Sequence, residues 1–536
     1  MLRNADSIIR ILKEAGVRRL FGMIGGGSNA DLVEAADRAG LPFSLSQTEA
    51  GSAFMACAQA EVTGSPGACI ATLGPGAASL MNGVAAAHLE RVPLIVITDC
   101  WDETTVEVMQ HQNLQHGKMF SPVTKWTFRA RTVNTSEILR RAVKIASESP
   151  PGPVHIDVSN QVTAAAASAD GSDDQPLSLS QPPTQDFEIT GPVQEVIRKA
   201  RRPVFLVGLG ARTAAISTVL KQMCDRFGIP ALVTYKAKGV IPDRFEWFGG
   251  VLTNGALELE VLRRSDLLLA IGLDCVELLP KPWRLTQPVI GVTPWTMNQK
   301  QIPQFAEFVG DVVSWLGALA DHLAETEWHN SELQNLVESQ REAMRPKANS
   351  GNFQPHRVVE LTADVYPDAR VTVDAGAHMF SVMSLWPAKE PCSVLISNGL
   401  STMGFALPSA IGAALLDISS PVVCFTGDGG LLMCLGELRT AAREGLLLRV
   451  IVFDDAALSL IKIKQIQRGY ATIGVDMGIT DWRSVASGLG FLAREACSEE
   501  AMRACLLETA NHPGPVLIAA KVDPQVYQAT IRALRG

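Results

Sequence analysis

Two aspartates and three glycines late in the chain offer the clearest chemistry. Asp428 lies within Gly427-Asp428-Gly429-Gly430, and Asp455 lies within Asp454-Asp455-Ala456-Ala457. Two carboxylates with a neighbouring main-chain carbonyl, here that of Ala457, are the hard oxygen donors that Mg²⁺ prefers, and such an ion often bridges to a diphosphate. The glycines allow main chain to approach a phosphate, and a helix starting after them presents its positive end. The group reads as a holder for a metal-bound diphosphate.

The flanking residues indicate what positions it. An apolar run, Val422 to Phe425, precedes the glycine turn, a helix-like stretch follows, and a second apolar run, Val450 to Phe453, ends at Asp454-Asp455. Strand, turn, helix and strand predict a βαβ unit with acidic groups at the carboxyl ends of both strands. Ligands of parallel α/β sheets bind at that edge. A GDG tripeptide alone is a weak signal; the spacing to Asp455 and the strand context strengthen it.

With these motifs in hand, the chain resembles the thiamine diphosphate (ThDP) enzymes of the acetolactate synthase, pyruvate oxidase and 2-oxo acid decarboxylase superfamily. Their metal motif is GDG followed, after a helix and a strand, by Asn or Asn-Asn; here Asp454-Asp455 stands in its place. The resemblance implies that Asp428, Asp455 and the Ala457 carbonyl hold Mg²⁺. It also implies that Gly427, Gly429, Gly430 and Leu458 contact the cofactor. Leu400-Ser401-Thr402-Met403-Gly404-Phe405 resembles the family's LGTMGF element. There Met403 would be the apolar wedge that bends the cofactor, and Ser401 would accept a hydrogen bond from the aminopyrimidine. Asp374-Ala375-Gly376-Ala377-His378 is similar to the diphosphate-contacting loop, which brings in Gly376, Ala377 and His378.

The amino-terminal part supplies the other half of the resemblance. Phe43 to Phe54 reads FSLSQTEAGSAF: a short strand-like run, then Glu49, then a small-residue helix. An acidic residue in a first helical turn is common for its dipole alone. The resemblance makes Glu49 the catalytic glutamate that hydrogen-bonds N1′ of the pyrimidine. Leu73-Gly74-Pro75-Gly76-Ala77 is similar to the family's GPG loop, and His111-Gln112-Asn113 resembles an FQE element. Gln112 is thereby expected at the reacting centre, and Gly25, Gly26, Leu73 and Gly74 on the substrate side. His111 and His116 fall near the paired histidines of pyruvate decarboxylases but are not adjacent.

Composition sets outer bounds. A chain of 536 residues exceeds one core and suggests about three domains. Its net charge of −8 gives no electrostatic case for nucleic acid. No apolar run approaches the ~18 residues that a membrane span needs. The start of the chain, MLRNADSIIRILKEAG, reads as an amphipathic helix with acidic residues rather than a signal peptide. Ten cysteines without a CxxC pair suggest reduced thiols and a cytoplasmic setting.

Two breaks divide the chain. Residues 164–186 are small, polar and Pro-rich, and residues 326–354 are polar and charged. The expected architecture is three α/β domains, each a mostly parallel sheet flanked by helices. They are a pyrimidine-binding domain at 1–163, a central Rossmann-like domain at 187–325 and a diphosphate-binding domain at 355–536. The central domain opens with Pro203 to Arg212, PVFLVGLGAR, a weak dinucleotide signal. The resemblance admits FAD or ADP there, but Pro151 stands where FAD-binding relatives often carry Arg, and Asn160 where acetolactate synthases often carry Lys.

The function implied by the resemblance is ThDP- and Mg²⁺-dependent cleavage or formation of a C–C bond in a 2-oxo acid through an enamine. That makes the chain an acetolactate synthase-like carboligase or a 2-oxo acid decarboxylase. A 2-hydroxyacyl-CoA lyase, a flavin-linked oxidase and a non-catalytic ThDP-binding protein are the alternatives. The resemblance also implies a homodimer or homotetramer with active sites at the subunit interface.

Overall fold

The computed structural model describes residues 2–167, 186–297, 301–346 and 353–536. Most of the first expected linker and part of the second therefore lie outside the described residues. Three six-stranded sheets follow one another along the chain, and every pairing is parallel. The first contains β1 (Leu20–Met23), β2 (Phe43–Leu45), β3 (Gly67–Ala71), β4 (Leu94–Asp99), β5 (Trp126–Arg129) and β6 (Pro153–Val158). The second contains β7 (Pro203–Val207), β8 (Ala231–Val233), β9 (Phe248–Val251), β10 (Leu267–Ile271), β11 (Val289–Thr293) and β12 (Ala306–Val309). The third contains β13 (Arg370–Val373), β14 (Val394–Ile396), β15 (Val422–Gly427), β16 (Leu448–Asp454), β17 (Leu492–Ala496) and β18 (Val516–Lys521).

The central strands β3, β4, β7, β10, β11 and β16 are buried along their whole length. Helices cover both faces of a parallel sheet, so these strands read as unbroken apolar runs rather than alternating ones. The first and third sheets share one order, β2-β1-β3-β4-β6-β5 and β14-β13-β15-β16-β18-β17. The turn after β3, which carries Gly74, is thus the counterpart of the turn after β15, which carries Asp428.

These two domains meet through small residues. The helix Glu49–Thr63 crosses the helix Ala406–Ala414, and a Cβ added at Gly412 would lie 2.3 Å from the Met55 carbonyl oxygen. Gln59 Nε2 donates to the Gly412 carbonyl at 3.1 Å, which satisfies a buried amide at the crossing. A buried ion cluster ties in the central domain. Lys236 Nζ lies 2.7 Å from Glu61 and 3.2 Å from Glu90, and Arg212 also pairs with Glu61. Lys236 further donates to the Ile396 carbonyl of the third domain at 3.1 Å.

Some local structure differs from the sequence reading. Asn330–Ala343, inside the polar stretch read as a linker, is a helix that buries Leu333, Val337 and Gln340. Its apolar stripe is too narrow to stand out from its charged face. The stretch after Asp428 forms two short helices, Asp428–Met433 and Glu437–Arg443, because the chain leaves helical geometry at Cys434. The first helix, Asn4–Glu14, forms as expected and buries Ile8, Ile9, Ile11 and Leu12. The cysteines are free thiols, mostly buried, with Cys497 exposed. No helix among the described residues is long and apolar enough to cross a membrane.

Candidate active site

β13, β15 and β16 are neighbours, and their carboxyl ends deliver Asp374, Asp428 and Asp455 to one edge of the third sheet. The connection from β13 to β14 turns one way along the sheet and β15 lies on the other side, so this is a topological switch point, where such sheets form a crevice. A cavity of about 210 Å³ opens there. It is lined by Gly376, Ala377 and His378 from the turn after β13, and by Ser401 and Met403 from the loop after β14. Gly427, Asp428, Gly429 and Gly430 line it from the turn after β15, and Asp455, Ala457 and Leu458 from the turn after β16. Apart from Glu49, every residue that the resemblance implied for cofactor or metal contact lines this one space.

The carboxylates are arranged for a cation. Asp428 Oδ1 accepts from the Gly429 amide at 2.7 Å, while Oδ2 is buried with no partner among the described residues. Asp455 accepts from the Ala457 amide at 3.1 Å and from Ser459 Oγ at 2.8 Å. Burial, reinforced by the nearby Asp454 charge, pushes the Asp428 carboxyl up to about 6. Burial and the charges of Asp428 and Asp454 push Asp455 up to about 7. Two buried acids, one raised by the charge of the other and one with an orphaned oxygen, form a site that lacks positive charge. Asp454 itself pairs with Lys521, so only the second residue of Asp454-Asp455 faces the cavity.

Glycine is required where the walls touch. A Cβ at Gly430 would lie 2.1 Å from Asp374 Oδ2, and one at Gly429 would lie 2.9 Å from Leu458 Cδ2 and 3.4 Å from Met403 Cε. His378 stacks on Phe453 with ring centroids 5.1 Å apart, and burial holds its imidazole neutral, with a pKa of about 3. Its Nε2 has no partner among the described residues, which leaves a nitrogen free for a ligand oxygen.

Two residues at this edge escaped the site assignment. Asp374 accepts from the amides of Gly404 and Phe405, each at 3.0 Å, and from Thr426 Oγ1 at 3.1 Å. It therefore ties the Met403 loop to the floor of the cavity; burial raises its carboxyl to about 6. Tyr527, at the start of the last helix, Tyr527–Arg535, also lines the cavity. The signal for the first was its place at the head of the Asp374-Ala375-Gly376-Ala377-His378 loop. Nothing in sequence spacing pointed to the second.

The first domain carries its own group. Glu49 opens the helix Glu49–Thr63, whose cap Thr48 accepts from the Gly51 amide at 3.0 Å. A Cβ at Gly76 would lie 3.3 Å from Glu49 Oε1, so the GPG turn runs against this carboxylate. Gly74 and Gln112 both take left-handed backbone, at φ +67° and +54°, and pack on each other. Leu73 and Gln112 line a second cavity of about 310 Å³ that also includes His116. Gly25 and Gly26 follow β1; the Gly25 amide donates to Asn29 Oδ1 at 3.2 Å, and Gly26 faces open space. None of Glu49, Gln112, Gly25, Gly26, Leu73 and Gly74 lines the cavity at Asp428. The chain thus brings the expected residues together as two groups.

The central domain does not fit a dinucleotide. The Leu209 amide in the glycine turn after β7 donates to Glu277 Oε2 at 2.9 Å. A Cβ at Gly208 would lie 2.4 Å from Leu273 Cα and 2.6 Å from that same carboxylate. Burial raises the Glu277 carboxyl to about 8. A diphosphate at this turn would have to displace a buried acid. Arg212, the cation of the motif, is engaged with Glu61.

The fold and the paired half-sites define a ThDP enzyme. Family models described as thiamine pyrophosphate enzyme, N-terminal TPP binding domain, central domain and C-terminal TPP binding domain match residues 2–119, 192–319 and 374–520. An acetolactate synthase of Bacillus subtilis is 30% identical, with 97% of this chain and 93% of that protein covered. The acetolactate synthase isozyme 1 large subunit of Escherichia coli is 27% identical, with coverage of 97% and 94%. The catabolic acetolactate synthase of Raoultella terrigena is 29% identical, with coverage of 97% and 95%. The chain belongs to the acetolactate synthase family of ThDP enzymes.

Proposed function

We propose that this enzyme is a Mg²⁺-dependent carboligase that removes CO₂ from one small 2-oxo acid and joins the remaining acyl unit to the carbonyl of a second. The observation that carries the reading is the convergence of Asp428, Asp455 and Met403 on one cavity, in a chain whose relatives are acetolactate synthases over nearly their whole length. Those relatives favour the carboligase over an acyl-CoA lyase or an oxidase. The three sheets support three domains within 1–163, 187–325 and 355–536, and the helix Asn330–Ala343, through Gln340 and the Gly249 carbonyl, extends the central one.

Asp428, Asp455 and the Ala457 carbonyl would hold Mg²⁺; the unpartnered Asp428 oxygen supports this. The glycines around Asp428 and the neutral His378 would take the diphosphate, and Met403 would press on the cofactor from the side. When bound, ThDP supplies the electron sink that lets a 2-oxo acid lose CO₂. Glu49 would hold the proton at N1′ of the pyrimidine, a role typically worth ~10²–10⁴-fold. Gln112 and Leu73 would border the second carbonyl compound. Because Glu49 does not line the cavity at Asp428 within one chain, a partner subunit would complete each site, which supports a homodimer or homotetramer. Free, mostly buried thiols support a cytoplasmic setting.

The test is a screen of small 2-oxo acids for CO₂ release and for condensed product, with and without added acceptor. It is joined by Glu49→Gln, in which C2–H exchange of bound ThDP should slow by ~10²–10⁴-fold. Mixing inactive Glu49→Gln with inactive Asp428→Ala chains should restore part of the activity, since exchange creates some sites with neither lesion. Unchanged exchange in the Gln variant would remove Glu49 from its role. No recovery after verified subunit exchange would remove the shared site.

A further inference from the structure

Behind the Gly74 turn lies a closed set of hydrogen bonds among His116, Asp157, Thr98, His155 and Thr127. The Gly74 amide donates to His116 Nε2 at 3.2 Å. An amide can only donate, so Nε2 must be unprotonated and the imidazole neutral, with its proton on Nδ1. That Nδ1–H donates to Asp157 Oδ1 at 2.8 Å. Thr98 Oγ1 donates to the same oxygen at 2.6 Å and must then accept from His155 Nε2 at 2.7 Å. The remaining nitrogen, His155 Nδ1, accepts from Thr127 Oγ1 at 2.7 Å. His155 is stacked on Phe120 at 4.2 Å, and burial holds it neutral. The Gly74 N–H fixes the tautomer of His116, and the Asp157 carboxylate, which can only accept, fixes the direction of the bonds at Thr98, His155 and Thr127.

His116, His155 and Asp157 offer ligand atoms within 4.8 Å of one another, close enough for a metal ion. The Thr98 hydroxyl contacts all three of these side chains, and each imidazole nitrogen is already paired, so the group is complete without an ion. What it does is hold a turn. His116 opens the helix His116–Phe120, four residues after Gln112. A Cβ at Gly74 would lie 2.8 Å from both Gln112 Cβ and the Gln112 carbonyl oxygen. The segments 73–74 and 112–116 are therefore clasped at two points, one a packing contact and one the His116 bond. Glu49 lies against Gly76 on the other side of the same turn. The cavity lined by Leu73, Gln112 and His116, about 310 Å³, is at the small end of ligand pockets and suits a compound of few heavy atoms.

We propose that His116, oriented by Asp157, is a positioning residue that fixes Leu73, Gly74 and Gln112 against the second carbonyl compound, a small 2-oxo acid, and so favours C–C bond formation over release of the uncondensed product. The inference rests on the carboligase reading. Asp157→Leu tests it most sharply, because it keeps the shape but removes the oxygen that accepts from both His116 Nδ1 and Thr98. His116→Leu removes the bonds to Gly74 and Asp157 together.

In both variants the holoenzyme should keep C2–H exchange of bound ThDP and CO₂ release within about twofold. The KM for the acceptor should rise about tenfold, the order that one lost hydrogen bond supplies. The double variant should lose no more than either single one, because both break the same clasp. A neutron diffraction structure of the unsubstituted holoenzyme should place a deuterium on His116 Nδ1 and none on Nε2. A proton on Nε2, an acceptor KM unchanged in both variants, or equal losses in exchange and condensation would each overturn the proposal. So would a stoichiometric transition metal that is lost with His116. If the variants fail to fold, the tautomer alone still decides the clasp. If the unsubstituted enzyme makes no condensed product, the carboligase reading fails by itself and the acceptor role with it, while the clasp is judged by the deuterium.

Discussion

Glu437 Oε1, in the third domain, accepts the main-chain amide of Thr48, the residue immediately before Glu49, at 3.0 Å. The same oxygen takes the Gln47 amide at 3.0 Å, and the other carboxylate oxygen accepts from Thr440 at 2.8 Å. The carboxylate is fully buried. One domain thus sets the start of the helix on which the other domain presents its acid. Glu437→Ala leaves two amides without a partner, which should cost about 2 kcal/mol and displace Glu49. Glu437→Gln keeps an acceptor oxygen and should retain most activity. Urea unfolding read alongside C2–H exchange separates the two effects. An Ala variant as stable and as fast as the parent would remove this link.

Asp455→Asn should keep metal binding, because an amide oxygen can still ligate and the charge repulsion with Asp428 is relieved. Asp428→Ala removes the oxygen that has no other partner, and retention of ThDP and Mg²⁺ should collapse. Equilibrium dialysis of both ligands measures this directly. Tight binding by the Ala variant would place the metal elsewhere.

Stability of the cofactor-free protein should fall as pH rises. Asp374 and Asp428 at about 6, Asp455 at about 7 and Glu277 at about 8 all lie above their ordinary values of 3.8 for Asp and 4.5 for Glu. These four acids bind more protons in the folded chain than in the unfolded one, whereas the buried His155 and His378 work the other way below about pH 6.5, so the fall is read between about pH 6.5 and pH 8 and levels off beyond. Mg²⁺ and ThDP should remove the part due to Asp428 and Asp455, and Glu277→Gln the part due to the central domain. Melting temperature scanned against pH, with and without ligands, is the check. A melting temperature that rises over this range would contradict the burial of these acids.

Met403→Leu roughly conserves volume and should keep most activity. Met403→Ala should weaken ThDP binding and turnover, since the side wall of the cavity recedes. Asp374→Asn should mimic that loss without touching the cavity volume. One of its two oxygens becomes a donor that faces either the Phe405 amide, or the Gly404 amide together with the Thr426 hydroxyl. A ThDP dissociation constant about tenfold higher in Asp374→Asn, the order of one to two lost hydrogen bonds, is the expected result. An unchanged constant would reduce Asp374 to a packing role.

Sequence alone determined what depends on neighbours along the chain. The runs before Asp428 and Asp455 had to be buried strands because they are unbroken and apolar, and the glycines between them admit no side chain. The order of motifs from Glu49 to Asp455 was enough for the family, and the scattered cysteines and acidic balance were read directly. The contacts between residues far apart in the chain were decided only in three dimensions. Glu437 and Thr48, Asp374 and Gly404, and His116 and Gly74 are distant in sequence, and each pairing rests on a hydrogen bond whose partner no spacing rule names. The central glycine turn made the same point from the other side. Its PVFLVGLGAR reads as a nucleotide turn until Glu277, far along the chain, is found against the Leu209 amide. Local pattern fixes which backbone can form, because propensity and burial act over a few residues. Which polar group meets which is settled by how the three sheets pack, since a buried donor must find an acceptor wherever packing delivers one.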